Sequence, residues 1–161
     1  MEQHSFSVSA IVDAPAAKVY GLVADYQHGH WLIVPKRYFV SMEVEKGGVG
    51  AGTVINFKMK LMGSVQSFQS VITEPEPGRV LVESEMKRGA VTTFRVEPRE
   101  DRNQCLVTIS TATPVPDGPM GKLQGWMTQQ LLQPVYVKEL AQLEAVARGE
   151  MATRPSPEGL A

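Results

Sequence analysis

Two histidines stand two residues apart in "DYQHGHWLIVP", with Trp31 directly after the second and Asp25 three residues before the first. An imidazole changes charge near neutrality, so a histidine with a carboxylate at hand is suited to moving a proton at physiological pH. His30 and Asp25 are the candidates for that work, with Trp31 as an aromatic wall beside them. The alternative is structural: Asp25 caps a short helix, and His28 and His30 are hydrogen-bonded in a turn. The other histidine is His4, and neither cysteines nor spaced acids supply further ligands, so no metal site is expected. No motif calls for a cofactor. Cys105, in "QCLVTIS", reads as a small buried hydrophobe in a strand. The glycine-rich "GGVGAG" of Gly47–Gly52 joins two strands and opens no helix, so it reads as a hairpin loop and lacks phosphate-binding geometry.

These residues need elements to hold them. "HSFSVSAIVD" alternates, with Phe6, Val8, Ala10 and Val12 on one face, as a half-buried strand does. Asp13 and Pro15 then mark a helix start, and Ala16, Val19, Tyr20 and Val23 form its apolar stripe. Asp25 opens a second, very short helix from Tyr26 to about His30, and Pro35 returns the chain to extended geometry. From Tyr38 onward, turn signals at Gly47-Gly48, Met62-Gly63-Ser64, Pro77-Gly78, Arg88-Gly89 and Glu100–Asn103 divide the chain into six further strands. Ile55, Phe57, Met59 and Leu61 share one face of the third strand, so one side of the sheet is covered and the other is wet. Parity leaves open whether Ser84 or Glu83 faces inward, and whether Glu83 and Arg95 form an internal pair.

The cover is a long helix from about Pro119 to Arg148, capped by Asp117. Met120, Leu123, Met127, Leu131 and Val135 form one apolar stripe, and Leu132, Tyr136, Leu140, Leu143 and Ala147 another. The interior Pro134 is expected to bend the helix between them. Residues 1–149 thus read as one domain and 150–161 as a flexible tail. Apolar residues make up 43% of the chain and the net charge is −1, which gives no broad pull toward nucleic acid or anionic membrane. No apolar run approaches the roughly 18 residues of a membrane span, and the start has no secretion-signal pattern, so the expected location is cytoplasmic.

The order strand, two short helices, six antiparallel strands, long helix, entered through "IVDAPAAKVYGLVADYQHGHWLIVP", resembles the START-like superfamily. That group includes polyketide cyclases/dehydrases, lipid-transfer domains and the birch-pollen allergen. The resemblance implies an α+β helix-grip: a seven-stranded curved antiparallel sheet wraps the C-terminal helix and leaves an apolar cavity between them. Trp31, Phe57, Met59, Phe68, Met86, Phe94, Trp126 and Met127 are the side chains expected to line it, with Thr92 and Gln130 as polar contacts. Methionines suit such a pocket because they repack around varied shapes. The implied function is binding of an apolar small molecule such as a lipid, quinone or polyketide. The alternative is a cyclase/dehydrase-type enzyme using the same cavity. A third reading, a protein adaptor or homodimer, needs an exposed apolar patch at Tyr136, Leu140 and Leu143.

Overall fold

A computed structural model describes residues 1–149; the tail expected over 150–161 lies outside the described residues. Seven strands form a single antiparallel sheet: β1 (Glu2–Val12), β2 (Phe39–Lys46), β3 (Val54–Leu61), β4 (Ser64–Glu76), β5 (Val80–Glu85), β6 (Val91–Pro98) and β7 (Cys105–Val115). Their order is β1-β7-β6-β5-β4-β3-β2, so consecutive hairpins run from β2 to β7 and β1 pairs with β7. Between β1 and β2 lie the short helices α1 (Ala16–Ala24) and α2 (Gly29–Ile33), and α3 (Pro119–Ala147) ends the domain. This is the helix-grip that the order of elements implied.

The concave face carries the core. Phe6 and Val12 of β1, Ile55, Met59 and Leu61 of β3, Ile72 of β4, Leu81 of β5 and Phe94 and Val96 of β6 are all buried. Alternation in these strands is what the pleat requires when one face is covered. At the far end of the sheet, Val19, Tyr20 and Val23 of α1 and Ile33 of α2 pack with Val135, Leu140 and Leu143 of α3. Gly29 lets α2 approach α1, because a Cβ there would stand 2.9 Å from the Leu22 carbonyl oxygen. This contact fixes the pitch of α2, turning His30 into the core and leaving His28 exposed.

The glycine loop is structural. Its Gly48 carbonyl accepts from the Tyr26 N–H at 2.8 Å, and its Gly50 N–H donates to the Ala24 carbonyl at 2.9 Å. At Gly50, with φ +67°, a Cβ would collide with the Glu74 carboxylate. Glu74 binds the loop through the Ala51 N–H at 2.7 Å and α1 through the Tyr20 hydroxyl at 2.6 Å. The loop therefore pins the end of α1 and the start of the turn carrying Tyr26.

Three helix caps differ from the sequence expectation. Asp13 does not cap α1; its N–H donates to Glu144 Oε2 at 2.8 Å and ties the entry to α3. Asp117 does not cap α3; Gly118 holds that position, and Asp117 lies 3.7 Å from the N-terminal ammonium. Asp25 caps the turn ahead of α2 through the N–H groups of Gln27 and His28, each at 3.2 Å.

The expected stripes of α3 are also corrected. The helix runs unbroken through Pro134, but Met120, Leu123 and Met127 point outward and are more than half exposed. The inward positions of this half include Gly121 and Gly125, because the chain passes too close for side chains. A Cβ on Gly125 would stand 2.4 Å from the His4 ring, and one on Gly121 only 1.6 Å from the Pro116 carbonyl oxygen. The exposed patch at Tyr136, Leu140 and Leu143 that would favour an adaptor or homodimer is not formed, since all three are core residues.

Candidate functional site

Sheet and α3 do not close on each other. Between them is a cavity of about 770 Å³. Phe57, Met59, Phe68 and Phe94 on the strands and Leu131 and Leu132 on α3 form its apolar walls. Its inner end is made by groups from several elements: buried His30 of α2, Thr111 of β7, and Tyr136 and Glu139 of α3, with the partly buried Glu83 of β5. At the opposite end the exposed turn Met86–Arg88 forms a rim, which gives the cavity its route to solvent.

The inner end is an ordered polar cluster. His30 Nδ1 lies 2.7 Å from the Val23 carbonyl oxygen. A carbonyl only accepts, so Nδ1 carries the proton and a neutral ring leaves Nε2 as a lone pair. That Nε2 is 3.6 Å from Glu83 Oε2, which itself accepts a hydrogen bond from the Tyr26 hydroxyl at 2.5 Å. Tyr26 stacks on His30 with ring centroids 4.3 Å apart, and Phe94 meets the imidazole edge-on at 5.6 Å. The ring is thus held by a stacked ring, an edge-on ring and a hydrogen bond at one nitrogen.

Burial dominates the titration of this cluster. It lowers the His30 pKa, with the Glu83 carboxylate and the Val23 carbonyl opposing, so the neutral ring is favoured. It raises the Tyr26 phenol, and Glu83 raises it further. Glu139 is held well above the usual carboxylate range by burial and then by Glu83, with Lys36 opposing. Tyr136 is pushed up to about 12 by burial, against the hydroxyls of Thr111 and Thr92. Those three hydroxyls form a chain, Thr92 to Thr111 at 3.0 Å and Thr111 to Tyr136 at 2.6 Å.

The cavity brings together six of the residues expected to line it: Phe57, Met59, Phe68, Thr92 and Phe94 within, and Met86 at the rim. Four others lie elsewhere. Trp126 and Met127 are exposed on α3 and Gln130 is exposed beside them, because the glycine face of the helix, rather than the apolar one, meets β1. Trp31 follows His30 by about 100° of helix turn and so leaves the cavity wall. It packs at the edge of the core with the Lys36 ammonium 4.3 Å above its ring. Asp25 is bound to its own turn, so the carboxylate beside His30 is Glu83 rather than Asp25. Arg95 is exposed and does not pair with Glu83. Among the described residues no three His, Cys, Asp or Glu side chains are placed to hold a metal ion.

Sequence reasoning missed Glu139, Glu85, Tyr26 and Tyr136, and left Glu83 undecided. The signals were present. Glu83 pairs with Thr92 and Leu81 with Phe94, and partners in an antiparallel ladder share a face. Tyr136, Glu139 and Leu143 follow helical spacing, which puts one acid on an otherwise apolar face. Tyr26 and His30 are four apart across the turn into α2.

A family described as "Polyketide cyclase / dehydrase and lipid transport" matches residues 3–148. The chain belongs to this family. Among solved structures, this chain is similar to the KanY protein, with 21% identity, a TM-score of 0.76, and coverage of 92% of this chain and 100% of that one. It is also similar to the Zhui aromatase/cyclase from Streptomyces sp. R1128, with 15% identity, a TM-score of 0.75, and coverage of 92% and 95%. A START superfamily protein from Mycobacterium smegmatis follows at 13% identity and a TM-score of 0.68, with coverage of 90% and 97%. At these identities the likeness is one of fold. Among proteins of curated function, none matches the sequence significantly. The described helices of this family member include none long and apolar enough to cross a membrane.

Proposed function

We propose that the protein binds a small, largely apolar molecule between the sheet and α3. The observation that carries this reading is the cavity itself: about 770 Å³ with walls of phenylalanine, leucine and methionine and one polar end. Small-molecule sites have this character, an apolar enclosure with a few fixed polar groups that orient the guest. The family's description, which joins ring-forming enzymes to lipid transport, supports a guest of this class. The test is binding of a neutral apolar dye such as Nile red to wild type and to Ser70→Phe. Ser70 is buried on the inward face of β4 and lines the cavity, so the added ring fills the space. Saturable binding to wild type that is lost in the variant is expected. Equal binding to both would place the dye elsewhere and defeat the reading.

One observation favours a second reading, cyclase/dehydrase-type chemistry in the same cavity. His30 presents an unprotonated Nε2 beside Glu83, and Glu139, whose carboxyl burial holds well above the usual carboxylate range, lines the same space. A base and an acid in one apolar enclosure are what enolisation and dehydration of a polyketone require. Here His30 would take the proton and Glu139 would supply one. Turnover of a poly-β-keto substrate that survives both His30→Ala and Glu139→Gln would remove these roles.

A further inference from the structure

The polar chemistry differs between the two ends of the cavity. Three carboxylates line it, Glu83, Glu85 and Glu139. Glu85 serves the rim turn: its Oε2 accepts from the N–H groups of Lys87 and Arg88, at 3.1 and 2.5 Å, and its Oε1 faces the Arg88 guanidinium at 3.5 Å. The inner end has no such cation. The Lys36 ammonium is bound to the carbonyls of Trp31 and Val34 and does not line the cavity. The Tyr26 hydroxyl is committed to Glu83, and the His30 Nδ1–H to the Val23 carbonyl. What remains is the His30 Nε2 lone pair, the Glu83 carboxylate, the Glu139 carboxyl and the linked hydroxyls of Thr92, Thr111 and Tyr136. Glu139 is 3% exposed, and its Oε2 has no hydrogen-bond partner among the described residues.

A buried acceptor without a donor is costly, and the cost is relieved when a guest brings the donor. We propose that the inner end takes the hydrogen-bond-donating head of an otherwise apolar ligand, an ammonium or a hydroxyl, and turns a carboxylate head away. An ammonium carries three donors and no lone pair, which suits the His30 lone pair, the Glu83 carboxylate and the carbonyl oxygen of the Glu139 carboxyl. A carboxylate would face the Glu83 carboxylate in an apolar enclosure whose inner end is lined by no cation. The proposal rests on the reading that the cavity binds an apolar guest.

The experiment is calorimetric titration of wild type with dodecylamine, 1-dodecanol and dodecanoate, equal in chain length and held below their aggregation concentrations. Dodecylamine is expected to bind about tenfold or more tightly than dodecanoate, with dodecanol between them. In Glu139→Gln, checked for cooperative unfolding, the amine is expected to lose about tenfold in affinity while the alcohol changes little. Dodecanoate binding as tightly as dodecylamine, for instance tail-first with its head at the Lys87–Arg88 rim, overturns the assignment and leaves the cavity reading standing. So does an unchanged amine affinity in Glu139→Gln. Failure of all three chains and of Nile red removes both readings together. The wild-type series decides the head-group preference even where the variant does not fold.

Discussion

The Tyr26 hydroxyl donates to Glu83 Oε2 at 2.5 Å, joining the turn ahead of α2 to the middle of β5. The two residues are 57 apart in sequence, so the bond closes the small-helix end of the domain against the sheet. A phenol donating to a carboxylate is a charge-assisted bond, among the stronger kinds. Tyr26→Phe keeps the ring stack on His30 and strands the acceptor. A loss of about 1–3 kcal/mol in urea unfolding is expected. A double-mutant cycle with Glu83→Gln should show clear coupling, and additive effects would mean the bond is not made.

His30 and Glu139 act on stability with opposite signs of pH dependence. The folded pKa of His30 lies below its ordinary value of 6.5, so the unfolded chain protonates first as pH falls. Stability from this group is complete above 6.5 and drains away below it, toward the folded pKa. The folded pKa of Glu139 lies above 4.5, so here the unfolded chain ionises first as pH rises. Its contribution is complete below 4.5 and is lost as pH climbs toward the folded pKa. Glu139→Gln should therefore gain on wild type as pH rises from about 4.5 to about 8 in chemical unfolding series. Imidazole nitrogen shifts should show His30 as the Nδ1–H tautomer, titrating below 6.5.

Glycine-to-alanine changes in the helices should separate by sign. Gly21, exposed on α1, has nothing within 4 Å of a new Cβ, so Gly21→Ala is expected to stabilise by up to about 1 kcal/mol. Gly121 faces the Pro116 carbonyl oxygen at 1.6 Å from such a Cβ, and backbone cannot step aside. Gly121→Ala should destabilise by about 1–3 kcal/mol or more in thermal unfolding. Two stabilised variants would mean that α3 does not start where it is placed.

Glu74 is expected to hold the glycine loop to α1. Glu74→Ala removes the acceptor for both the Tyr20 hydroxyl and the Ala51 N–H, and a loss of about 1–3 kcal/mol is expected. Faster amide exchange at Gly50 and Tyr26, whose N–H groups join loop and helix, would accompany it.

The sheet and the long helix were legible because alternation in Phe6–Val12 and Ile55–Leu61 and the turns between hairpins report local geometry. The outer and inner faces of α3 were not. Reading Met120, Leu123 and Met127 as a core stripe follows hydrophobicity, whereas the helix packs through Gly121 and Gly125, residues a hydrophobic pattern ignores. The polar inner end was hidden for another reason. Glu83 faces inward partly buried and Glu139 is buried, against the ordinary preference of acids, and tertiary proximity to Tyr26 and His30 is what reveals the cluster. Asp25 was near His30 in sequence; Glu83 is near it in space.

The central claim is that the guest lies between sheet and helix. It is tested most directly by isotope-filtered NOE spectra of methyl-labelled protein with bound dodecylamine. Contacts from the alkyl chain to Met59, Leu131 and Leu132, which line the cavity, are the expected result. Contacts confined to Met120, Leu123 and Met127 on the outer face of α3 would contradict it.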